Sequence, residues 1–304
     1  MKPEIPVKQG ETYRLEITKL TDNAEGVAKT DGFTVFVPGA LPGEIVSGKI
    51  DLVKKNYARA KLISIEKESP DRIKPRCEHY EVCGGCQLQH LSYEAQCKMK
   101  RAQVEDALCH IGGLTGVKAE DTLGAVEPWY YRNKMQFPVG KSKGTIRIGC
   151  YEQGTHRIID TPNCYIQNGG NNIIAVAMRE AIKRFNISVY DENNHSGCLR
   201  HVMGRIGKNG EAMVVLVTAT KRLENDKAQV KFLRDRIPNL VSVYHNIQTY
   251  HNNVILGRET RLLWGKSTIS DNIGSYVYHI SPRSFFQVNT AQATALYEKV
   301  REYA

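Results

Sequence analysis

LRHVMGRIGKNGEAMVVLVTAT, residues 199–220, decides how the larger part of this chain is read. Gly204, Gly207 and Gly210 stand three apart and invite comparison with a loop that cradles nucleotide phosphates. Such a loop must lead from a strand into a helix, because the helix N-terminus meets the phosphates. Here a second strand follows instead. The stretch therefore reads as strand, glycine-bearing turn, strand.

Working outward, strands occupy Trp129 to Tyr165, with a hairpin at VGKSKGTIRIGCY, and IIAVAMREAIKRF repeats its apolar positions every three to four residues, which predicts a helix from Asn172 to Phe185. Downstream come a helix over Lys227 to Arg236, a strand at VSVYHNIQ and a closing helix, AQATALYEKVREYA. Two Gly-Lys-Ser triplets, at 140–142 and 265–267, lack the earlier glycine of a phosphate loop, since Met135 and Thr260 stand there. His245 and His251 sit six apart, a spacing that assigns them no metal chemistry.

Residues 11 to 66 form a separate all-β unit. Short strands (YRLEI, FTVFV, EIVSGKI, YARAKLISI) are broken at Asp31-Gly32, Pro38-Gly39 and Pro42-Gly43, which suits a five-stranded barrel of the OB type. Its last strand brings Lys54, Lys55, Arg59 and Lys61 together with Asn56 and Tyr57, either a solvated face or a nucleic-acid face. LSYEAQCKMKRAQVEDALCHIGG predicts a helix ending at Gly112-Gly113, with Cys97 and Cys109 as buried or half-buried helix residues.

The chain has 304 residues, with 42 Lys+Arg against 32 Asp+Glu and a formal net charge of +10, a balance that favours an anionic partner. No stretch has the length and apolarity of a membrane span, and the N-terminal residues do not read as a signal peptide, so the expected location is the cytoplasm, with no membrane partner. In a reducing compartment, close-set cysteines are metal or redox groups more often than disulfides. Cys77, Cys83 and Cys86 lie within ten positions, with Gly84-Gly85 between the last two. The tight pair lets thiolates converge, and glycine frees amides to point at sulfur. A fourth ligand must come from Cys150, Cys164, Cys198 or a helical cysteine; the proline-bearing turn of IIDTPNCYIQ favours Cys164. Both a [4Fe-4S] cluster and zinc accept four thiolates, and His79 and His90 keep zinc open.

With these motifs in hand, the chain resembles the bacterial RNA uracil-5-methyltransferases. FVPGALPGE is similar to a TRAM domain, and C-x5-C-x2-C with a distant cysteine, YRNKMQFPVG, GCLRHVMGRIG and SPRSFFQVN follow in the family's order. The barrel plus the cysteine motif is most similar to the 23S ribosomal RNA enzymes and less to the transfer-RNA enzyme. The resemblance implies an α+β multidomain protein: a TRAM barrel (1–66), a central α/β iron-sulfur domain (67–94 and 127–284), and the beginning of a Rossmann-like methyltransferase domain (95–126 and 285–304). It implies a [4Fe-4S] cluster on Cys77, Cys83, Cys86 and Cys164, Phe285 stacking on the target base, Gln287 at the S-adenosylmethionine and base pocket, and Arg132 touching substrate. Taken by themselves, Phe285 and Phe286 read as core.

Methylation at C5 of uracil requires a thiolate to add at C6, a base to remove the C5 proton, and extrusion of the base from its stack. No family nucleophile, general base or methyl-donor loop stands in these residues, so the expectation is an N-terminal part that binds 23S ribosomal RNA, as a monomer, without transferring methyl groups. The alternatives are a non-catalytic RNA-binding module with a metal-stapled domain, and a transfer-RNA uracil-5-methyltransferase.

Overall fold

The computed structural model describes residues 5–304. They fall into two compact units, one reaching to Tyr80 and resuming over Cys86–Gly124, the other made of Glu81–Gly85 and Ala125–Ala304.

In the first unit, β1 (Thr12–Leu20), β2 (Glu25–Thr30), β3 (Phe33–Pro38), β4 (Ile45–Val53) and β5 (Tyr57–Lys67) close into a barrel in the order β1-β2-β3-β5-β4. Alternation drives the closure. Leu15 and Ile17 on β1, Val35 and Val37 on β3, and Ala58 and Ala60 on β5 point inward, while Arg14, Glu16, Arg59 and Lys61 are exposed. Burying an inward Leu, Ile or Val side chain contributes roughly 1.5–3 kcal/mol. Glu44, wholly buried after the Pro42-Gly43 turn, anchors the connection beyond the barrel. It accepts from Arg72 Nε at 2.5 Å, Arg72 Nη2 at 2.9 Å, the Leu41 amide at 2.8 Å and the Ser69 amide at 3.3 Å. Burial alone would raise its carboxyl pKa, but these donors outweigh burial and hold it below the usual range.

Helix α1 (Tyr93–Asp106) starts where Ser92 Oγ accepts from the Ala95 amide at 3.3 Å, continues as a π-helical turn (Ala107–Ile111) and stops at Gly112. The helix lies where its pattern predicts, but that pattern does not make a buried stripe. Ala95 is its one buried residue, packed with Leu20, Leu41 and Leu91, whereas Val104, Ile111 and Cys109 are exposed and Cys97 is half-buried. The expectation of a buried or half-buried Cys109 is thus corrected. Beyond the first turn, Lys98, Lys100, Arg101 and Glu105 share the helix surface with the apolar positions, so no wide apolar stripe forms.

The second unit is built on a seven-stranded sheet in the order β12-β11-β10-β9-β6-β7-β8. Its strands are β6 (Lys134–Ser142), β7 (Thr145–Tyr151), β8 (Ile158–Asp160), β9 (Leu199–Ile206), β10 (Ala212–Thr218), β11 (Leu240–Ile247) and β12 (Glu259–Gly265). Pairing is antiparallel except between β10 and β11, which the crossover helix α3 (Asp226–Arg236) joins. Every residue of β9 and β10 is buried, because both faces are covered. On one face α2 (Gly169–Arg184) and α3 pack over Met135, Phe137, Val202, Val214 and Leu216. On the other, the hairpin of β13 (Ile269–Ile273) and β14 (Tyr276–Ile280), Phe286 and Ala293 of α4 (Thr290–Tyr303) cover Met203, Met213, Val215 and Tyr244.

Residues 199–220 are therefore the hairpin the sequence calls for, with one change of detail: Gly204 lies inside β9, and only Gly207 and Gly210 belong to the turn. β12, β13 and β14 were not anticipated. Among the described residues no helix is long and apolar enough to cross a membrane.

Candidate nucleic-acid site

Three sequence-distant segments meet at the start of β6. The backbone of Arg132 is tied to the segment before α2: its amide donates to the Ile166 carbonyl at 2.9 Å, and its carbonyl accepts from the Asn168 amide at 2.9 Å and Asn171 Nδ2 at 3.2 Å. Gly204 leaves room for the Asn171 side chain. A Cβ there would stand 2.5 Å from Asn171 Oδ1.

Asn133 gathers the rest. Its amide donates to the Val288 carbonyl at 2.9 Å, and its carbonyl accepts from the Ile206 amide at 2.9 Å. Its Nδ2 donates at 2.9 Å to both the Gln287 carbonyl and Thr290 Oγ1, and Thr290 passes its own hydrogen to Asp271 Oδ2 at 3.0 Å. From β9, the buried Arg205 donates through Nη2 to the carbonyls of Ser284 and, at 3.5 Å, Pro282. The segment 282–290 is thereby fixed at several points. Phe286 turns inward against Tyr278, with ring centroids 5.5 Å apart, and Phe285 turns outward with 86% of its surface exposed.

The reading of Phe285 as core is corrected by that exposure; Phe286 alone is core. Arg132 is half-buried, its Nε donating to the Lys134 carbonyl at 3.2 Å, and Gln287 is half-buried, its carbonyl held by Asn133, the residue that follows Arg132. The structure thus brings Arg132, Phe285 and Gln287 into one neighbourhood. Sequence reasoning passed over Asn133 and Arg205, although both sit inside the quoted motifs YRNK and MGRIG; nothing local marks them, because their partners lie about 80 to 160 positions away.

Along the same sheet face, Gln136 and Pro138 of β6 and His201 of β9 line a cleft of about 660 Å³ with Arg200, Cys150 and Tyr151. Burial first, then the charge of Arg200, lowers the His201 pKa to about 4, so its ring is neutral at physiological pH. Its Nδ1 is buried and has no hydrogen-bond partner among the described residues.

The cysteine ligands proposed from sequence are divided between the units: Cys77 and Cys86 belong to the first, Cys83 and Cys164 to the second. The Cys77 amide donates to Gln89 Oε1 at 3.0 Å. Cys83 pairs with Glu152 in an isolated bridge, and the Gly85 amide donates to Cys83 Sγ at 3.4 Å. Cys164 is buried, its turn clamped by Asn172, which accepts from the Cys164 amide at 3.0 Å and donates to its carbonyl at 3.2 Å. An amide aimed at sulfur suits a thiolate ligand. Cys150 also comes within reach of this corner: a Cβ on Gly85 would lie 3.4 Å from Cys83 Sγ and 3.5 Å from Cys150 Sγ. No three His, Cys, Asp or Glu side chains among the described residues are grouped as metal ligands.

A closed five-stranded barrel, a cationic chain and an exposed aromatic held on a fixed segment are features that nucleic-acid-binding proteins share. Comparison with known proteins narrows this. Residues 6–63 match the TRAM domain family. An uncharacterized RNA methyltransferase of Clostridium tetani is 45% identical over 305 residues, covering 100% of this chain and 66% of that protein. One from Clostridium acetobutylicum is 42% identical over 307 residues, covering 100% and 67%. The chain belongs to this family of RNA methyltransferases, and it spans about two thirds of the length of these relatives. The solved structure of Pyrococcus abyssi tRNA (uracil-54, C5)-methyltransferase in complex with S-adenosyl-L-homocysteine matches with a TM-score of 0.74 at 28% identity, over 95% of this chain and 64% of that one.

Proposed function

We propose that these residues form the RNA-recognition part of an S-adenosylmethionine-dependent RNA methyltransferase acting at C5 of uridine. The observation that carries this is the fixed, outward Phe285 beside Arg132 and Gln287, with Asn133 tying their segments together. A base taken out of its stack needs a new π-surface, and Phe285 supplies one. Arg132 would contact the extruded nucleotide, and Gln287 would face the pocket shared by the base and the methyl donor. The donor supplies the methyl group; the residues on these strands bind and orient.

Two RNA substrates compete. The cysteine motif together with the TRAM barrel favours 23S ribosomal RNA. The Pyrococcus neighbour, a transfer-RNA enzyme by name, favours transfer RNA, and because the likeness covers 95% of this chain it runs through the barrel as well. The barrel by itself therefore does not separate the two. Within the same proposal, Cys77, Cys83, Cys86 and Cys164 hold a [4Fe-4S] cluster that staples the fold, supported by the cysteine spacing and the Gly85 amide on Cys83.

Binding of ribosomal and transfer RNA segments at matched salt tests the reading. Tight binding of one class, with no C5 methylation by the 304-residue chain from labelled S-adenosylmethionine, is the expected result. Methylation by this chain alone would overturn the division of labour, and failure to bind either RNA would overturn the proposal.

A further inference from the structure

Lys134 and Arg205 are directly paired across the antiparallel ladder of β6 and β9. Like charges in that relation oppose each other and destabilise the sheet. Half-burial first, then the positive charges of Arg205 and Arg132, lower the Lys134 pKa. Arg205 is 2% exposed, and its Nε is buried without a hydrogen-bond partner. What these groups do have is neutral: Arg205 Nη2 meets the carbonyls of Pro282 and Ser284, and Arg132 Nε meets the carbonyl of Lys134. None of the three takes part in an ion pair among the described residues. Three cations therefore converge on one place without an ion-pair partner among the described residues, and the buried carboxylate of Asp271 is engaged by Thr290.

The place itself points to the kind of anion. The carbonyls that hold Arg205 belong to the segment presenting Phe285, so the cation cluster and the exposed ring share one rigid support. An aromatic face next to unbalanced cations matches the two halves of a nucleotide, base and phosphate. We propose that Lys134, backed by Arg205 and Arg132, seats a backbone phosphate of the RNA beside the nucleotide that stacks on Phe285. This deepens the RNA reading given above and rests on it. Lys134 supplies the mobile donor; Arg205, fixed by its carbonyls, supplies buried positive charge.

The test uses the full chain and a fluorescein-labelled single-stranded oligoribonucleotide containing uridine, with affinity measured by anisotropy across a series of salt concentrations. For wild type, log affinity falls linearly with log salt. Lys134→Gln is expected to bind several-fold more weakly at low salt and to show a slope shallower by about 0.7, the share of one phosphate contact on a single strand. Lys134→Arg, which keeps the charge and guards against a folding artefact, should retain the wild-type slope. Wild-type binding with an unchanged slope in Lys134→Gln overturns the phosphate seat while leaving the RNA reading in place. Unchanged RNA binding with weakened S-adenosylmethionine binding would give the cations to the donor's carboxylate instead and likewise overturn it. If wild type binds no RNA, both readings fall together.

Discussion

Asn133 and Thr290 are joined by a hydrogen bond of 2.9 Å across 157 positions of sequence, and the same Asn133 amide group also holds the Gln287 carbonyl. One side chain thus fixes both ends of the turn between Phe286 and α4. Asn133→Ala leaves a half-buried hydroxyl and a carbonyl without this donor, at a cost of about 1–3 kcal/mol. Urea unfolding should record that loss, and limited proteolysis should find new cleavage near 285–290. An unaltered midpoint and digestion pattern would show that the backbone bonds alone hold the segment.

Phe285 contributes little to folding and is proposed to contribute much to binding. With its ring exposed, Phe285→Ala should change unfolding free energy by no more than about 0.5 kcal/mol. RNA affinity should fall by about 1–3 kcal/mol, the value of one base stacked on an aromatic ring. Calorimetric melting and anisotropy on the same preparation separate the two effects. Stability lost with affinity kept would return Phe285 to the core.

Glu44→Ala removes one partner of a buried pair and strands Arg72, which is 17% exposed at its side chain. The expected destabilisation is about 3 kcal/mol or more. Because the folded carboxyl titrates below its ordinary 4.5, the pair stabilises the protein above that pH and its contribution is lost as pH falls through the lower, folded value. Denaturation of wild type and variant across acidic pH should therefore show the two curves drawing together only at the acid end.

His201 works over a different range. Its folded pKa of about 4 lies below the ordinary 6.5, so the unfolded chain binds more protons between those values and stability falls as pH drops from 6.5 toward 4. His201→Gln, which cannot titrate, should flatten that part of the stability profile. Parallel profiles for the two proteins would contradict the buried, neutral ring.

The proposed cluster is tested by colour and content. Anaerobically purified wild type should be brown and contain iron and acid-labile sulfide, and Cys164→Ser should lose both with lowered thermal stability. A colourless wild type holding zinc would replace the cluster with the other four-thiolate centre.

Much of the architecture was legible because it is written locally. Alternation on β1, β3 and β5 marks the barrel, the three-to-four repeat in IIAVAMREAIKRF marks α2, and the strand that follows Gly210 excludes a nucleotide loop at 199–220. The five ordered motifs, the cysteine spacing among them, carried the family in the same way. Short strands such as ISDNI and YVYHI, and the mixed surface of α1, carry too weak a period to be read correctly from sequence.

Sequence by itself thus determined the barrel, the hairpin and the main helices, and the resemblance to a family named Arg132, Phe285 and Gln287 as candidates. Tertiary structure alone decided which phenylalanine faces outward, that Asn133 is the hub of the site, and that Lys134 and Arg205 confront each other. The reason is physical: periodicity is set by neighbours along the chain, whereas exposure, pairing and unbalanced charge are set by groups that meet only after long loops have closed.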